Sequence, residues 1–507
     1  MLRIALCFFL LTVVVSICFS PVAAFAQDHD DMDVSDADID PKKLAEAVKK
    51  GVAWLKGQQK ADGSWVGVGG TTESTFPGGC TALTLFALLK CGVDRNDAAI
   101  TKGFNYCFNV PDKQVPQDPN NPGGGTQAGN WEHKIYSVSC LILALEARYA
   151  PNEKKDAPKP NSTKHDKWVT TPYEEKVRKN FQKKATPQDR KIIDELIKWL
   201  LSQQQSNVWR YPGPAQDGNV EDASNSQYAM LALNSARRLG FPIPTEVWVK
   251  VADYFVKYQE KDGPKVKWFP IPGADFPISK LKKMAGKVLE DLRKHLRKER
   301  ARSWGKEKEE NGKGGPKTTV VIEDPYQKFG IEKVDMFARG WSYIPKGKAG
   351  QYAWMETTCG SMTTSGAAAL MICKASIEGT GAYGAWKSKI NKGIRDGCAW
   401  LAHNFTVTGN PGRGGYHFYY LYGLERVGVL TLCRMLAKHD WYEEGAKHLL
   451  GAQAASGVWS GGGESDLVNT CFALLFLKRA TTPIVQIPEQ AYTGSDIFGG
   501  KRKKPEK

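Results

Sequence analysis

The feature that most constrains the fold is a recurring pattern in which an amphipathic helix ends in glutamine and is followed by a glycine turn and a tryptophan. Its clearest copy is segment 51–65, which contains Gln58-Gln59, Asp62-Gly63 and Trp65. Apolar residues at helical spacing precede it, so about four turns of helix end near the glutamines. Glutamine can hydrogen-bond a loop backbone, and tryptophan offers a large flat surface. We interpret the pattern as a clasp between neighbouring helical hairpins.

Weaker copies of the pattern recur along the chain, at 199–209, 258–263 and 449–459. Each belongs to a unit in which an amphipathic helix is followed by a loop and then by a more apolar helix. Segment 361–372, for example, is apolar around most of its circumference. Fully apolar helices belong inside and amphipathic helices outside. Repeats of this period predict an all-α fold, an α/α toroid of about six helical hairpins.

Each predicted hairpin pairs an outer helix with the inner helix that follows it. The pairs are 44–59 with 81–91, 98–108 with 136–149, 191–205 with 226–239, 245–259 with 361–377, 390–404 with 416–430, and 442–453 with 467–479. The predicted toroid domain spans 41–480. Two polar, charged insertions interrupt it, at about 151–187 and 263–351, and we expect the first to be a surface excursion.

The N-terminus has the pattern of a targeting segment. Arg3 precedes an apolar run over 4–18, and Ala24-Phe25-Ala26 offers a small-x-small cleavage site. This pattern predicts a signal peptide over 1–26 and a secreted or periplasmic protein. The alternative is an uncleaved N-terminal membrane anchor, although the apolar run is short for a membrane span. An acidic leader over 27–40 follows, and its composition predicts disorder.

The net charge of +16 is concentrated outside the predicted helical core. Segment 280–317 carries a net charge of +8, and the predicted C-terminal tail, 481–507, ends in a basic run. This distribution weakens a nucleic-acid interpretation, and we predict no nucleic-acid partner. Apolar residues at helical spacing within 280–317 predict a helix on the protein's own surface. The alternative is contact of this basic insertion with an anionic membrane or partner.

The cysteines favour a structural role. The chain has 11, of which Cys7 and Cys18 lie in the predicted signal peptide. Most of the others lie inside apolar helical runs, where a small buried core residue is the better interpretation. No CxxC or other metal-ligand spacing appears. We therefore predict no metal and no cofactor, and the sequence assigns no disulfide pairing.

At the level of motifs, the chain resembles the squalene–hopene cyclases and the protein prenyltransferase β-subunits. The residues that carry the resemblance are those at 54–65, 199–209, 258–263 and 449–459, which are similar to the QW repeats of that superfamily. The resemblance covers about 41–480 apart from the insertions. It implies an α/α toroid of the terpenoid cyclase superfamily.

The catalytic motifs of that superfamily are incomplete here. Hopene-type cyclases share an Asp-x-Asp-Asp motif that supplies their acid. The similar stretch at 222–228 keeps only Asp222. Prenyltransferases bind zinc through Asp, Cys and His, and the similar stretch at 466–471 has Asn469 where the histidine would stand. An amide oxygen is a poor zinc ligand beside imidazole. The resemblance therefore implies a divergent member.

A toroid still predicts where a site would lie. All six inner helices would begin at one mouth, where their N–H groups and dipoles favour anionic groups. The candidate catalytic residues in the loops at this mouth are Glu132, Asp222, Glu356 and Asp466. The candidate ligand-binding residues are Trp131, Tyr211, Trp354, Tyr416, His417 and Trp459. The simpler alternatives are helix caps for Asp222 and Asp466 and an ordinary hydrogen-bonded role for His417.

Three functions remain open from the sequence. The leading hypothesis is an exported toroid protein that lacks the recognisable catalytic motifs and binds a small molecule, lipid, glycan or partner at an aromatic cavity mouth. The second is a carbohydrate-active lyase or hydrolase, which predicts two facing acids about 5–10 Å apart. The third is a divergent lipid (terpenoid) cyclase. Whether the protein is an enzyme stays undecided at this point.

Overall fold

A computed structural model describes residues 39–67, 76, 78–109, 135–151, 156–159, 162–204, 206–210, 221–287, 333–350 and 352–485. The predicted signal peptide, most of the acidic leader, most of the C-terminal tail and the centre of the second insertion lie outside these residues. Across the described residues, none of the helices combines the length and the apolar character that a membrane span requires.

The described chain is mostly helical, which confirms the all-α prediction. Its helices are α1 (Pro41–Gly57), α2 (Gly79–Lys90), α3 (Ala98–Phe108), α4 (Ile135–Tyr149), α5 (Thr163–Thr170), α6 (Tyr173–Lys184), α7 (Pro187–Ser202), α8 (Ala223–Leu239), α9 (Thr245–Lys257), α10 (Pro272–Asp275), α11 (Gly360–Ile377), α12 (Tyr383–His403), α13 (His417–Thr431), α14 (Trp441–Ala452) and α15 (Asp466–Leu477). A further helical segment covers 278–287.

Four short strands complete the described elements. Strand β1 (Lys265–Val266) pairs antiparallel with β2 (Met336–Phe337), and β3 (Met435–Leu436) pairs antiparallel with β4 (His439–Asp440). The first pair joins the beginning of the second insertion to its end, with Lys265 opposite Phe337. The chain therefore leaves the helical repeat and returns to it at nearly the same place.

Six helices pack against one another in a closed series. Helix α2 packs on α4, α4 on α8, α8 on α11, α11 on α13, α13 on α15, and α15 again on α2. These are the helices that the sequence predicts to be inner. In α15, every residue from Leu467 to Leu477 is buried, as expected for a helix that is apolar around most of its circumference.

The other members of the predicted hairpins pack outside this series and bury one face each. Helix α1, for example, buries Ala47, Gly51 and Leu55, which lie four residues apart on one stripe. All twelve predicted helices are present, with shifted ends. The largest shifts are at α12, which begins at Tyr383 rather than 390, and at α7. There Thr186 caps the helix and Pro187 opens it, so α7 begins earlier than predicted.

The first insertion is not only a surface excursion. Its helix α6 packs on α4 and α8, and it buries Val177 and Phe181. The Phe181 ring lies 5.2 Å from the Tyr149 ring, edge to face. Two apolar residues at helical spacing in a lysine-rich background are a weak signal, which explains why the charged composition dominated the prediction.

The predicted clasp is present, and its hydrogen bonds show how it works. The Trp65 indole Nε1 donates to the Leu55 carbonyl in α1 at 2.6 Å. The Trp65 backbone N donates to the Thr81 hydroxyl in α2 at 2.9 Å. Gln59 Nε2 donates to the Ala99 carbonyl at the start of α3 at 2.9 Å. One loop thus fastens an outer helix, its inner helix and the next outer helix.

Three other loops repeat this arrangement, and we call all four Gln–Trp clasps. The pairs are Gln59 with Trp65, Gln204 with Trp209, Gln259 with Trp341, and Gln453 with Trp459. In each, the indole donates to a carbonyl of the preceding outer helix, and the glutamine amide donates to a carbonyl of the next outer helix. All four tryptophans are buried.

The last clasp links the end of the described chain to its beginning. Gln453 Nε2 donates to the Ala47 carbonyl in α1 at 2.9 Å. The Trp459 ring lies over Gly51 of the same helix, where an added Cβ would come within 2.9 Å of the ring. Glycine is required here because no side chain fits beneath the indole. The same contact recurs between Trp65 and Gly103 of α3.

The third clasp contains a residue that the sequence pattern missed. Tyr258-Gln259 and Asp262-Gly263 are visible as a partial motif, but the tryptophan is Trp341, near the end of the second insertion. Its indole donates to the Phe255 carbonyl at 2.7 Å. The insertion separates the two halves of the motif in sequence, and the pairing of β1 with β2 brings them together.

Candidate functional site

A cavity of about 960 Å³ lies where the inner helices begin. Every one of the six inner helices contributes to its wall from its first turns. The wall residues on these helices are Gly79, Cys80, Leu83, Tyr136, Cys140, Ser224, Tyr228, Ser361, Met362, Tyr419, Asp466, Val468 and Phe472. The volume is at the upper end of the usual range for small-molecule sites, and apolar and aromatic groups predominate.

A chain of hydrogen bonds links polar side chains of the cavity wall. The Tyr136 hydroxyl donates to Ser224 Oγ, which lies 2.7 Å from the Tyr419 hydroxyl. The Tyr419 hydroxyl donates in turn to Gln227 Oε1 at 2.8 Å. Since an amide oxygen only accepts, Ser224 must be the donor to Tyr419, and the hydroxyl protons all point along the chain. The network fixes the tyrosine rings before any ligand arrives.

The tyrosines of this wall form an aromatic surface. The Tyr228 ring lies 5.1 Å from the Tyr136 ring and 6.1 Å from the Tyr419 ring. Burial raises the pKa of Tyr228 and of Tyr419 well above the ordinary value, so both hydroxyls stay protonated. The Tyr228 hydroxyl has no hydrogen-bond partner among the described residues. These rings offer flat faces to an apolar or aromatic ligand.

The rim of the cavity carries one arginine surrounded by aromatic rings. The Arg413 guanidinium carbon lies 4.9 Å from the centre of the Trp354 ring, 5.0 Å from that of Tyr416 and 5.6 Å from that of Tyr343. Such contacts stabilise the cation without neutralising its charge. Trp354 is 55% exposed and Tyr416 is 39% exposed, so both rings remain accessible. Within the described residues, the Arg413 side chain forms no ion pair.

Tyr416 is held in an unusual backbone conformation directly before α13. Its φ is 58°, in the left-handed region that residues other than glycine rarely adopt, at a cost on the order of 1–3 kcal/mol. The adjoining backbone is pinned, because His417 N donates to the Gly462 carbonyl at 3.0 Å and Asn410 Nδ2 donates to the Gly415 carbonyl at 3.3 Å. The strained residue is therefore one whose ring lines the cavity.

Among the described residues, two acids line the cavity, and both belong to the segment that opens α15. Glu464 lines the wall, and burial raises the pKa of its carboxyl to about 7. Its carboxylate has no hydrogen-bond partner in the described ranges. Asp466 also lines the cavity and is exposed. The helix cap expected of Asp466 is supplied instead by Ser465, whose hydroxyl accepts from Val468 N at 3.5 Å.

The other predicted catalytic acids in the described chain are bonded elsewhere. Asp222 is fully buried and caps α8, accepting from Asn225 N at 2.7 Å and from Asn225 Nδ2 at 2.8 Å. Burial raises the pKa of Asp222 to about 6, partly offset by these hydrogen bonds. Glu356 accepts from Ala349 N at 2.7 Å, and backbone N–H groups there hold its pKa below the ordinary value. Neither acid lines the cavity.

The predicted ligand-binding residues divide in the same way. Trp354 and Tyr416 line the cavity. His417 does not, because its ring Nε2 bonds the Val407 carbonyl at 2.8 Å, and burial lowers the pKa of the imidazole. Trp459 lies in the last Gln–Trp clasp, fully buried, and cannot contact a ligand there. Glu132, Trp131 and Tyr211 lie outside the described residues.

Several cavity residues were absent from the candidates drawn from the sequence. The clearest are Tyr136 and Tyr228, which look like ordinary core aromatics in apolar helices. The usable signal was their position in the first turns of predicted inner helices, where the mouth was expected. Arg413 gave a similar signal, as the one basic residue in a glycine-rich loop that leads into an inner helix.

The thiols follow the sequence interpretation. The nine cysteines of the described chain are all reduced, and eight are buried. Cys140 lines the cavity, and burial raises the pKa of its thiol to about 12, so it is no ready nucleophile. Among the residues that the structure describes, no cluster of His, Cys, Asp and Glu has the arrangement of a metal site.

No protein-family model matches the chain. No curated protein matches it significantly.

Proposed function

We propose that the chain is an exported α/α-toroid protein, divergent from the squalene–hopene cyclases and protein prenyltransferases, which binds a small ligand in its aromatic cavity. The closed series of inner-helix contacts supports the toroid, since packing returns from α15 to α2. The Gln–Trp clasps support it too, because the last one bonds the sixth hairpin to the first. A linear array of hairpins would leave both contacts unmade.

One observation carries the binding function: a cavity of about 960 Å³ to which the first turns of all six inner helices contribute. Protein interiors normally contain few voids larger than a water molecule. A space of this size, walled by fixed tyrosines and bordered by an exposed tryptophan, is suited to a ligand with a flat apolar part.

The bonding of the candidate acids favours binding over the cyclase or prenyltransferase reactions. Asp222 lies in the stretch that resembles the cyclase acid motif. Its two carboxylate oxygens accept hydrogen bonds from the backbone N and the side-chain Nδ2 of Asn225. Asn469, in the position of the prenyltransferase histidine, is buried and donates to the Glu464 carbonyl at 3.0 Å. A carbohydrate-active alternative would need acids on opposite sides of a substrate, whereas Glu464 and Asp466 approach from one segment.

Native mass spectrometry of the protein purified from its own host tests the proposal. We expect a species heavier than the polypeptide, whose extra mass is lost on denaturation. In parallel, the neutral fluorescent probe N-phenyl-1-naphthylamine should bind the ligand-stripped protein. A bare polypeptide mass together with no probe binding would exclude a ligand-binding cavity. Export has its own test, because amino-terminal sequencing of the mature protein should begin at Gln27.

A further inference from the structure

The cavity contains two opposite charges that do not pair with each other. Arg413 and Glu464 both line it, and neither side chain forms an ion pair within the described part of the chain. The segments that carry them are in contact, since His417 N donates to the Gly462 carbonyl at 3.0 Å. Two flexible, oppositely charged side chains on touching segments would ordinarily meet.

Each charge lies on a segment with defined contacts. Arg413 is retained by the faces of Trp354 and Tyr416, about 5 Å away. Glu464 follows Gly463, whose φ is 90° and where an added Cβ would lie 2.9 Å from Tyr416 N. The backbones of the two segments are therefore in close contact. Among the described residues, neither charge has a partner of opposite sign.

Unpaired charges in a partly buried cavity are costly unless something else supplies the partner. Burial raises the pKa of the Glu464 carboxyl, in the direction that this cost predicts. A ligand with only an anionic group would satisfy Arg413 and repel Glu464. A ligand with only a cationic group would do the reverse. A ligand carrying both groups satisfies the two charges together.

Aromatic rings line the same cavity as the charges. The Trp354 and Tyr416 rings border Arg413, and Tyr419 and Phe472 also belong to the wall, with their ring centres 5.7 Å apart. Flat apolar groups pack well on such surfaces. Together with the charges, these rings describe a molecule with a flat apolar body and a short, doubly charged head.

Resting on the proposed function, we infer that the cavity binds a zwitterionic amino-carboxylate with a flat apolar or aromatic side group. Its carboxylate pairs with Arg413, its ammonium group pairs with Glu464, and its apolar group lies on the aromatic wall. Arg413 and Glu464 are then the residues that determine specificity. Asp466, on the Glu464 side, adds to the preference for a cationic group there.

Three indole probes separate the charges in calorimetric titrations at about pH 8, above the Glu464 pKa of about 7. Tryptophan carries both groups, indole-3-propionate lacks the ammonium group, and tryptamine lacks the carboxylate. We expect tryptophan to bind about tenfold or more tightly than either of the others, since one charge-assisted pair contributes on the order of 1.5–3 kcal/mol.

Two variants test which group of the ligand pairs with each charge. Arg413→Gln should weaken the binding of tryptophan and of indole-3-propionate by about tenfold and leave the affinity for tryptamine unchanged. Glu464→Gln should weaken the binding of tryptophan and of tryptamine. It should leave the affinity for indole-3-propionate unchanged or increase it. Lys261→Gln, at an exposed site remote from the cavity, is the matched control for loss of a positive charge. A cooperative thermal unfolding transition in each variant establishes that it is folded.

The outcomes distinguish this inference from the proposed function. If N-phenyl-1-naphthylamine binds but the three indoles bind equally, or the variants change nothing, the zwitterion inference is wrong and the cavity function stands. If indole-3-propionate binds as tightly as tryptophan, the ligand is a simple anion and the inference is also overturned. If neither the neutral probe nor any indole binds, both fail.

Discussion

The loops that follow the outer helices, in the part of the chain that the structure describes, are of two kinds. Four carry a Gln–Trp clasp with one repeated set of hydrogen bonds. The loop between α12 and α13, residues 404–416, which we call the rim loop, has Asn404 where a glutamine would stand, and that amide bonds back to Trp400 at 3.0 Å. Instead of a buried tryptophan it carries Arg413 and Tyr416. The difference separates residues that build the ring from residues available to a ligand.

The groups that form a clasp are not available to a ligand. In each clasp the tryptophan is buried and its indole N–H is bonded, so neither its face nor its donor is open to a ligand. The rim loop leaves its groups open, because Tyr416 is exposed and the charge of Arg413 is unpaired in the described structure. Where the repeat is broken, its side chains face the cavity.

The largest expected effect distinguishes a clasp tryptophan from a rim tryptophan. Trp65→Ala should lower the free energy of unfolding by about 3–5 kcal/mol, because the ring is fully buried and its removal leaves a cavity. Trp354→Ala, at an exposed ring, should change it by less than about 1 kcal/mol. Urea denaturation followed by circular dichroism measures both. A loss below about 1 kcal/mol for Trp65→Ala would show that the clasp does not support the fold.

A smaller effect tests the close contact beneath the last clasp. Gly51→Ala places a methyl group 2.9 Å from the Trp459 ring and 3.0 Å from Leu474, and overpacking of this kind costs about 1–3 kcal/mol. Gly57→Ala, in the same helix but with no atom within 4 Å of the new Cβ, should be neutral or stabilise by up to about 1 kcal/mol. The same denaturation experiment compares them. Equal effects would mean that α1 and the sixth hairpin are not held by this contact.

A pH-dependent effect belongs to the cavity, because the glutamines and tryptophans of the clasps do not titrate. The folded-state pKa of Glu464 is raised to about 7, above its unfolded value, so the folded protein binds more protons between the two values. The stability contributed by the protonated carboxyl is therefore present at low pH and lost as the pH rises through about 7. Glu464→Gln should flatten this part of the stability profile, whereas Gln59→Ala, which changes a clasp glutamine, should not. Parallel profiles for Glu464→Gln and wild type would contradict the burial of the carboxyl.

The sequence predicted the repeat better than the site, for physical reasons. Hydrophobic periodicity is set by burial of one helix face. It therefore predicts the twelve helices of the six proposed hairpins. Asp222 and Trp459 looked equally suited to a cavity, but their roles depend on the hydrogen bonds they make. A helix cap and an active-site acid have the same local sequence. Trp341 could not be assigned at all, because the strand pairing across the insertion is a tertiary contact.

The most direct test of this separation of roles is a fluorescence titration with N-phenyl-1-naphthylamine on two folded variants. Trp354→Ala should weaken the binding of the probe by about three- to tenfold, since an aromatic contact contributes about 0.5–1.5 kcal/mol. Gln59→Ala, which removes the bond to the Ala99 carbonyl in a clasp, should bind the probe like wild type while unfolding at lower urea. Wild-type affinity in Trp354→Ala, or weakened binding in Gln59→Ala alone, would contradict the division between clasps and rim.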